Sequence, residues 1–285
     1  MYGYFSERCY NGDSPYTDLA LERRRADLNI TGVEYSKESR PSGFWERIKI
    51  SSKKGAESIG RPIGSYHTFS TDRVDRLSSD GMESAKNELA SELCHIFDVS
   101  EIFPGRIVVV GLGSRSLTPD SIGSATASKV KPTMHIKEWD RRAFIRLGCA
   151  EIAVIAPGVA AESGIDAAVT VKGLCDLLRP DAVIAIDALA SRSADRLGST
   201  IQICNTGISP GSGIGNHRIS IGKETVGVPV IAIGVPTVID SRVLCSGKEF
   251  CTPPMFVSPK EINEIVECSA EIIGEAINQA FGIYG

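Results

Sequence analysis

Apolar residues change their spacing along the chain at about Asp80. From Met82 through Ala85, Leu89, Leu93 and Ile96 they recur every three or four positions, which places them on one face of a helix. Asp80, with Glu83 three positions on, reads as the capped start of that helix. Residues 1–80 carry the least regular pattern. Ser, Gly, Pro and charged residues dominate from Tyr35 to Arg61, Ile48 and Ile50 mark one short strand, and Leu19 to Glu22 could begin another. From Arg106 the pattern alternates between strand and helix. Ile107 to Val110 is a continuous β-branched run, as expected of a strand buried on both faces of a parallel sheet, and Ile152 to Ile155 repeats it. Asp166 to Leu178 is an amphipathic helix stopped by Pro180. Ala182 to Ile186, running into Asp187, then Thr200 to Cys204 and Val228 to Ile233, are further strands. Ser258-Pro259-Lys260-Glu261 has the cap, first-turn proline and capping-box glutamate of a last helix, whose stripe is Ile262, Ile265, Val266, Ile272, Ile273, Ile277 and Phe281.

Strands alternating with helices predict a three-layer α/β fold, with a mostly parallel sheet and helices on both faces. No internal repeat and no clear linker interrupts the 285 residues, so a single domain with an irregular N-terminal part is expected. Hydrophobic residues make up 42% and charged residues 23%, which excludes a wholly disordered chain. With 31 basic against 35 acidic residues the net charge is −4, which argues against a nucleic-acid binder. The one dense basic run, Arg23-Arg24-Arg25, reads as a solvated face. No apolar run is long enough to cross a bilayer, and residues 1–16 lack the apolar centre of a secretory signal. The eight cysteines contain no Cys-x-x-Cys pair and read as reduced thiols, which places the protein in the cytosol with no structural metal.

Sites in open α/β sheets form where strands end and loops converge. Gly111-x-Gly113 follows the first such strand, but Ser116 stands where a dinucleotide fingerprint needs its third glycine, and no Walker pattern occurs. Asp120 lies in the same loop beside Pro119, and Asp187 follows the third strand without a polar break, so its carboxylate is expected at the strand tip. Two carboxylates in one cleft cannot both ionise cheaply, so the pair can share a proton, one acting as base on water while the other hydrogen-bonds a carbonyl. The competing reading is that each aspartate caps a helix. The loop from Asn205 to Arg218 offers the backbone amides of Gly211, Gly213 and Gly215, with His217 beside them, as candidate substrate contacts, and Arg192 is a further one. The other histidines, at 67, 95 and 135, are isolated. No serine nucleophile elbow or His-Glu-x-x-His motif provides a rival site.

Seven stretches then occur in order: Thr-Asp-Leu-Ala-Leu-Glu at 17–22, Val-Val-Gly-Leu-Gly at 109–113, Thr-Pro-Asp-Ser-Ile-Gly at 118–123, Ala-Pro-Gly-Val at 156–159, Ile-Ala-Ile-Asp-Ala-Leu-Ala-Ser-Arg-Ser at 184–193, Asn-Thr-Gly-Ile-Ser-Pro-Gly-Ser-Gly-Ile-Gly-Asn at 205–216, and Gly-Val-Pro-Val-Ile-Ala-Ile-Gly-Val-Pro-Thr-Val-Ile-Asp at 227–240. In these the chain resembles the germination proteases of spore-forming bacteria. The resemblance implies a phosphorylase/hydrolase-like fold, similar to hydrogenase maturation proteases. It implies an endopeptidase of the spore core that degrades small acid-soluble spore proteins during germination, assembled as a homotetramer and using no cofactor, membrane or nucleic acid. It places the family's catalytic aspartates on Asp120 and Asp187. It also implies a self-processing zymogen, with residues 1–16 as the propeptide and 17–285 as the peptidase domain. Ser114-Arg115-Ser116 and Ser124 depart from the family pattern. Two alternatives stay open: a metal-assisted protease of the maturation type, and a non-catalytic binding protein of the same fold.

Overall fold

The computed structural model describes residues 17–23, 30–212, 218–244 and 255–283. Its strands are β1 (Val33–Arg40), β2 (Gly43–Ile50), β3 (Gly64–Ser70), β4 (Arg106–Gly111), β5 (Glu151–Ile155), β6 (Ala182–Ser191), β7 (Thr200–Cys204), β8 (Val230–Asp240) and β9 (Phe256–Val257). Its helices are α1 (Ala20–Arg23), α2 (Lys53–Ile59), α3 (Ser79–Val99), α4 (Ile122–Lys129), α5 (Met134–Trp139), α6 (Arg141–Leu147), α7 (Ala160–Ser163), α8 (Ala167–Leu178), α9 (Lys223–Val226) and α10 (Ile262–Ala280). The strands form one sheet in the order β1-β2-β3-β7-β8-β6-β4-β5, with β9 on β8. The expected parallel sheet is its C-terminal half: β5, β4, β6 and β8 pair parallel in sequence. The strand at Thr200 to Cys204 instead runs antiparallel to β8 and joins an antiparallel N-terminal meander.

Helices cover both faces, because successive side chains of a strand point to opposite sides. Ile107 and Val109 of β4 pack with Ile184 and Ile186 of β6 against the apolar stripes of α3 and α10. Val108, Val110, Val183 and Ala185 pack on the other side against Ala168, Val171 and Cys175 of α8. A third cluster joins α1 and α2 to Ile48, Ile50 and Tyr66.

Several boundaries differ from the pattern-based expectation. The N-terminal part is regular: β1 is an edge strand with no buried residue and several charges, so it shows no alternation and is held by its ladder to β2. Leu19 to Glu22 starts no strand, and Ala20–Arg23 forms one helical turn. The cap of α3 is Ser78, whose side chain accepts from Gly81 N, in place of Asp80. Pro259 to Glu261 make a turn before α10 begins at Ile262, so the capping signature lies one turn too early.

Candidate active site

Asp187 is the sixth of the ten residues of β6, so its carboxylate does not emerge at a strand tip as expected. It is 4% exposed, and its Oδ1 accepts from Ala188 N at 2.9 Å. Beyond it, β6 and β8 stay paired through a register shift between Leu189 and Ala190, which leaves Thr237 as an extra residue on β8. The Thr237 hydroxyl donates to Pro119 O at 2.7 Å and so ties the loop that carries Asp120 to the sheet.

Asp120 ends a 3₁₀ turn (Thr118–Asp120) ahead of α4. It caps no helix: residue Ser121 stands at the N-cap of α4, and Asp120 Oδ2 accepts from Ser114 N at 2.8 Å. Gly113 makes this possible. Its φ is +89°, and a Cβ there would lie 1.8 Å from Asp120 O, so the loop closes on itself only with glycine. The Gly-x-Gly motif therefore serves a close backbone approach. Leu112 N donates to Ile186 O at 2.8 Å, which carries the β4–β6 ladder up to the residue preceding Asp187.

Both aspartates line one cavity of about 320 Å³, with Asp18, Gly113, Pro119, Leu189, Gly211, Arg218, Thr237 and Phe256 among its other walls. Burial pushes the Asp187 carboxyl well above the usual range, the charge of Asp120 pushes it further, and Asp18 adds to both; Ala188 N and Arg218 oppose them. Burial also raises Asp120, against the Ser114 amide and Arg218, while Glu162 raises it further. Glu162 accepts a short hydrogen bond from Ser114 Oγ. The two carboxyls are unequal: Asp187 is pushed up by burial and by the charge of Asp120, while Asp120 has an amide donor that favours its carboxylate.

Two residues of this cavity escape any pattern in the sequence. Asp18 reaches it from the N-terminal segment: its Oδ2 accepts from Ala190 N at 3.0 Å and its Oδ1 from Ser212 Oγ at 2.7 Å. Arg218 stands at the far end of the glycine-rich loop. The resemblance had already singled out the stretch around Asp18, but for processing. Gly211 is a wall of the cavity, whereas Gly213, Gly215 and His217 lie outside the described residues. Arg192 is not a wall of the cavity. Its backbone N donates to Glu22 Oε2 at 2.7 Å, and its Nε is buried with no partner among the described residues. A second cavity of about 400 Å³ shares Asp18 and Leu189 with the first and runs past Arg61, Tyr66, Gln202 and Lys223. Among the described residues no group of three or more His, Cys, Asp or Glu is placed to hold a metal ion, and no helix is long and apolar enough to cross a membrane.

The germination protease family model matches residues 16–250. The germination protease of Caldanaerobacter subterraneus subsp. tengcongensis is 41% identical over 230 residues, covering 79% of this chain and 69% of that one. That of Clostridium perfringens is 33% identical over 308 residues, covering 93% and 94%. A solved NiFe hydrogenase maturation protease from Thermococcus kodakarensis KOD1 is similar at 20% identity with a TM-score of 0.38, over 66% of this chain and 99% of that one, a likeness too slight to add to the fold described above. With an acid-lined cleft on an α/β sheet and these relatives, the molecule is a peptidase. The chain belongs to the germination protease family.

Proposed function

We propose that this chain is an endopeptidase that degrades small acid-soluble spore proteins in the spore core, with Asp120 and Asp187 as its acid pair. The observation that carries the reading is a fully buried Asp187 whose pKa is raised by burial and by Asp120 within one cavity. A helix cap has no use for such a group, and neither aspartate caps a helix.

In this mechanism Asp120 takes a proton from a water as its oxygen bonds to the scissile carbonyl carbon. The carbonyl π pair moves to its oxygen, which receives the proton held by Asp187. On collapse that proton returns to Asp187, the C–N bond breaks, and Asp120 delivers its proton to the leaving nitrogen. The two adjoining cavities give a peptide room on either side of Asp18, and Gly211 offers backbone to it. The homotetramer, the zymogen and the removal of residues 1–16 follow from the family resemblance. Docking of residues 17–23 supports the last of these: Asp18 N donates to Ala190 O at 3.0 Å, three residues beyond Asp187, so the segment next to the proposed cut lies at the acid pair.

Asp187→Asn and Asp120→Asn, incubated with a small acid-soluble spore protein and followed by mass spectrometry, test the reading. Each is expected to lose about 10³-fold or more of the activity. Processing and digestion by Asp187→Asn at the normal rate would sink it. Digestion by the parent chain also separates a peptidase from a binding protein of the same fold, and loss of that digestion on chelation would favour the metal-assisted alternative.

A further inference from the structure

The cavity has a charge problem that the acid pair does not solve. Asp18, Asp120 and Asp187 all line it, and peptide hydrolysis adds negative charge to the carbonyl oxygen as the tetrahedral centre forms. Repulsion between that oxygen and any carboxylate still ionised opposes this step. The proton on Asp187 supplies one donor to it. A cationic donor beside the same oxygen would stabilise the charge that develops before that proton has moved.

Arg218 is the one cationic side chain among the described walls of this cavity. It also borders the small void behind Gly113 and Pro210. Among the described residues its guanidinium forms no hydrogen bond or salt bridge, in contrast to the arginines that hold the fold together. Arg61 cannot substitute for it, being engaged with Thr17 O at 2.9 Å and with Asp18 at 3.9 Å. Arg192 lies outside the cavity. An arginine remains protonated at any working pH and offers five N–H donors on a planar fork. Arg218 is exposed, has no hydrogen-bond or salt-bridge partner among the described residues and shares a cavity wall with both acids, so it has the charge and the donors for an oxygen that becomes negative only during reaction.

We propose that Arg218 is a catalytic residue of this peptidase, donating hydrogen bonds to the scissile carbonyl oxygen as it gains negative charge. The assignment rests on the acid-pair reading above. No bond to Arg218 forms or breaks: it keeps its protons throughout, and the water and Asp187 protons move as already described. A second consequence follows from the same charge. Arg218 lowers the pKa of both aspartates, against Asp18 and Glu162, which face them with the opposite sign. Its removal therefore shifts the whole pH–rate profile towards higher pH.

The test uses purified full-length Arg218→Gln and Arg218→Lys beside Asp187→Asn, with kcat and KM measured on a small acid-soluble spore protein across the pH range in which each is folded. Arg218→Gln is expected to lower kcat about 10²- to 10³-fold with KM changed only a few-fold. Its profile should move to higher pH, and Arg218→Lys should recover part of the rate and most of the profile. A kcat within about twofold of the parent, or a loss confined to KM, would overturn the assignment. Asp187→Asn separates the two failures. If it is fully active, the acid pair falls and this assignment falls with it; if it is inactive while Arg218→Gln turns over normally, only the role of Arg218 is lost.

Discussion

Two carboxylates are buried to the same degree in the two halves of the sheet, and the protein treats them oppositely. Glu92, 5% exposed on α3, faces the antiparallel half. Arg47 of β2 grips both its oxygens at 2.6 Å, and His67 Nδ1 of β3 lies 2.6 Å from Oε1. Burial alone would raise Glu92, but these hydrogen bonds outweigh it and hold its pKa at about 2. Asp187, 4% exposed in the parallel half, has one neighbouring amide, a second acid nearby and, among the described residues, no salt bridge. Asp240 at the end of β8 sides with Glu92, since Arg242 clasps both its oxygens. Buried acids that hold the fold together are paired. One left unpaired stores free energy, and in this fold it faces a cavity.

That contrast can be broken experimentally, starting where the effect is largest. Asp187→Asn should lose about 10³-fold or more in proteolysis, while Glu92→Gln should leave kcat within a few-fold of the parent; equal losses would erase the distinction. Glu92→Gln should cost about 3 kcal/mol of stability in urea unfolding, because Arg47 keeps a half-buried charge with only Glu38 left to meet it. The pH dependence follows from the same pairing. An unfolded Glu titrates near ~4.3, so the contribution of Glu92 is present above that pH and is lost as pH falls towards about 2. A Glu92→Gln difference that stayed constant through this window would contradict the pairing.

Gly113→Ala comes next, at roughly 2 kcal/mol of stability, since its φ is +89° and its Cβ would meet Asp120 O. The displaced loop should also cut activity by more than the change in the folded fraction. Smallest is a gain. Asp187 has a raised folded pKa, so its ionisation is easier in the unfolded chain and stability falls as pH rises above ~3.9. Asp187→Asn removes that cost and should raise the neutral-pH melting temperature by about 2–4 °C, an advantage that vanishes below pH ~3.9. A lower melting temperature at neutral pH would show that the carboxylate is stabilised by contacts other than Ala188 N.

Legibility in the sequence followed the strength of local signals. The strand at Thr200 to Cys204 and the helix ending at Leu178 are read directly from composition and from Asp166 and Pro180, because burial on both faces or on one stripe leaves a run or a period. β1 left no such trace, being exposed along most of its length. The continuation of β6 to Ser191 was hidden as well: Asp187 looks like an end to an apolar run, yet β8 continues beside it as a hydrogen-bonding partner.

By itself the sequence determined the alternation of strands and helices, the family, and the two aspartates as residues of interest. These are encoded in neighbouring positions, where side-chain period and motif order need no knowledge of the rest of the chain. Tertiary structure alone decided that Asp120 and Asp187 share a cavity, that Asp18 and Arg218 join them from 169 residues before Asp187 and 31 after it, and that Arg192 does not. A pKa is set by distance, burial and the charges nearby, and each of these is fixed by contacts between residues far apart in the chain.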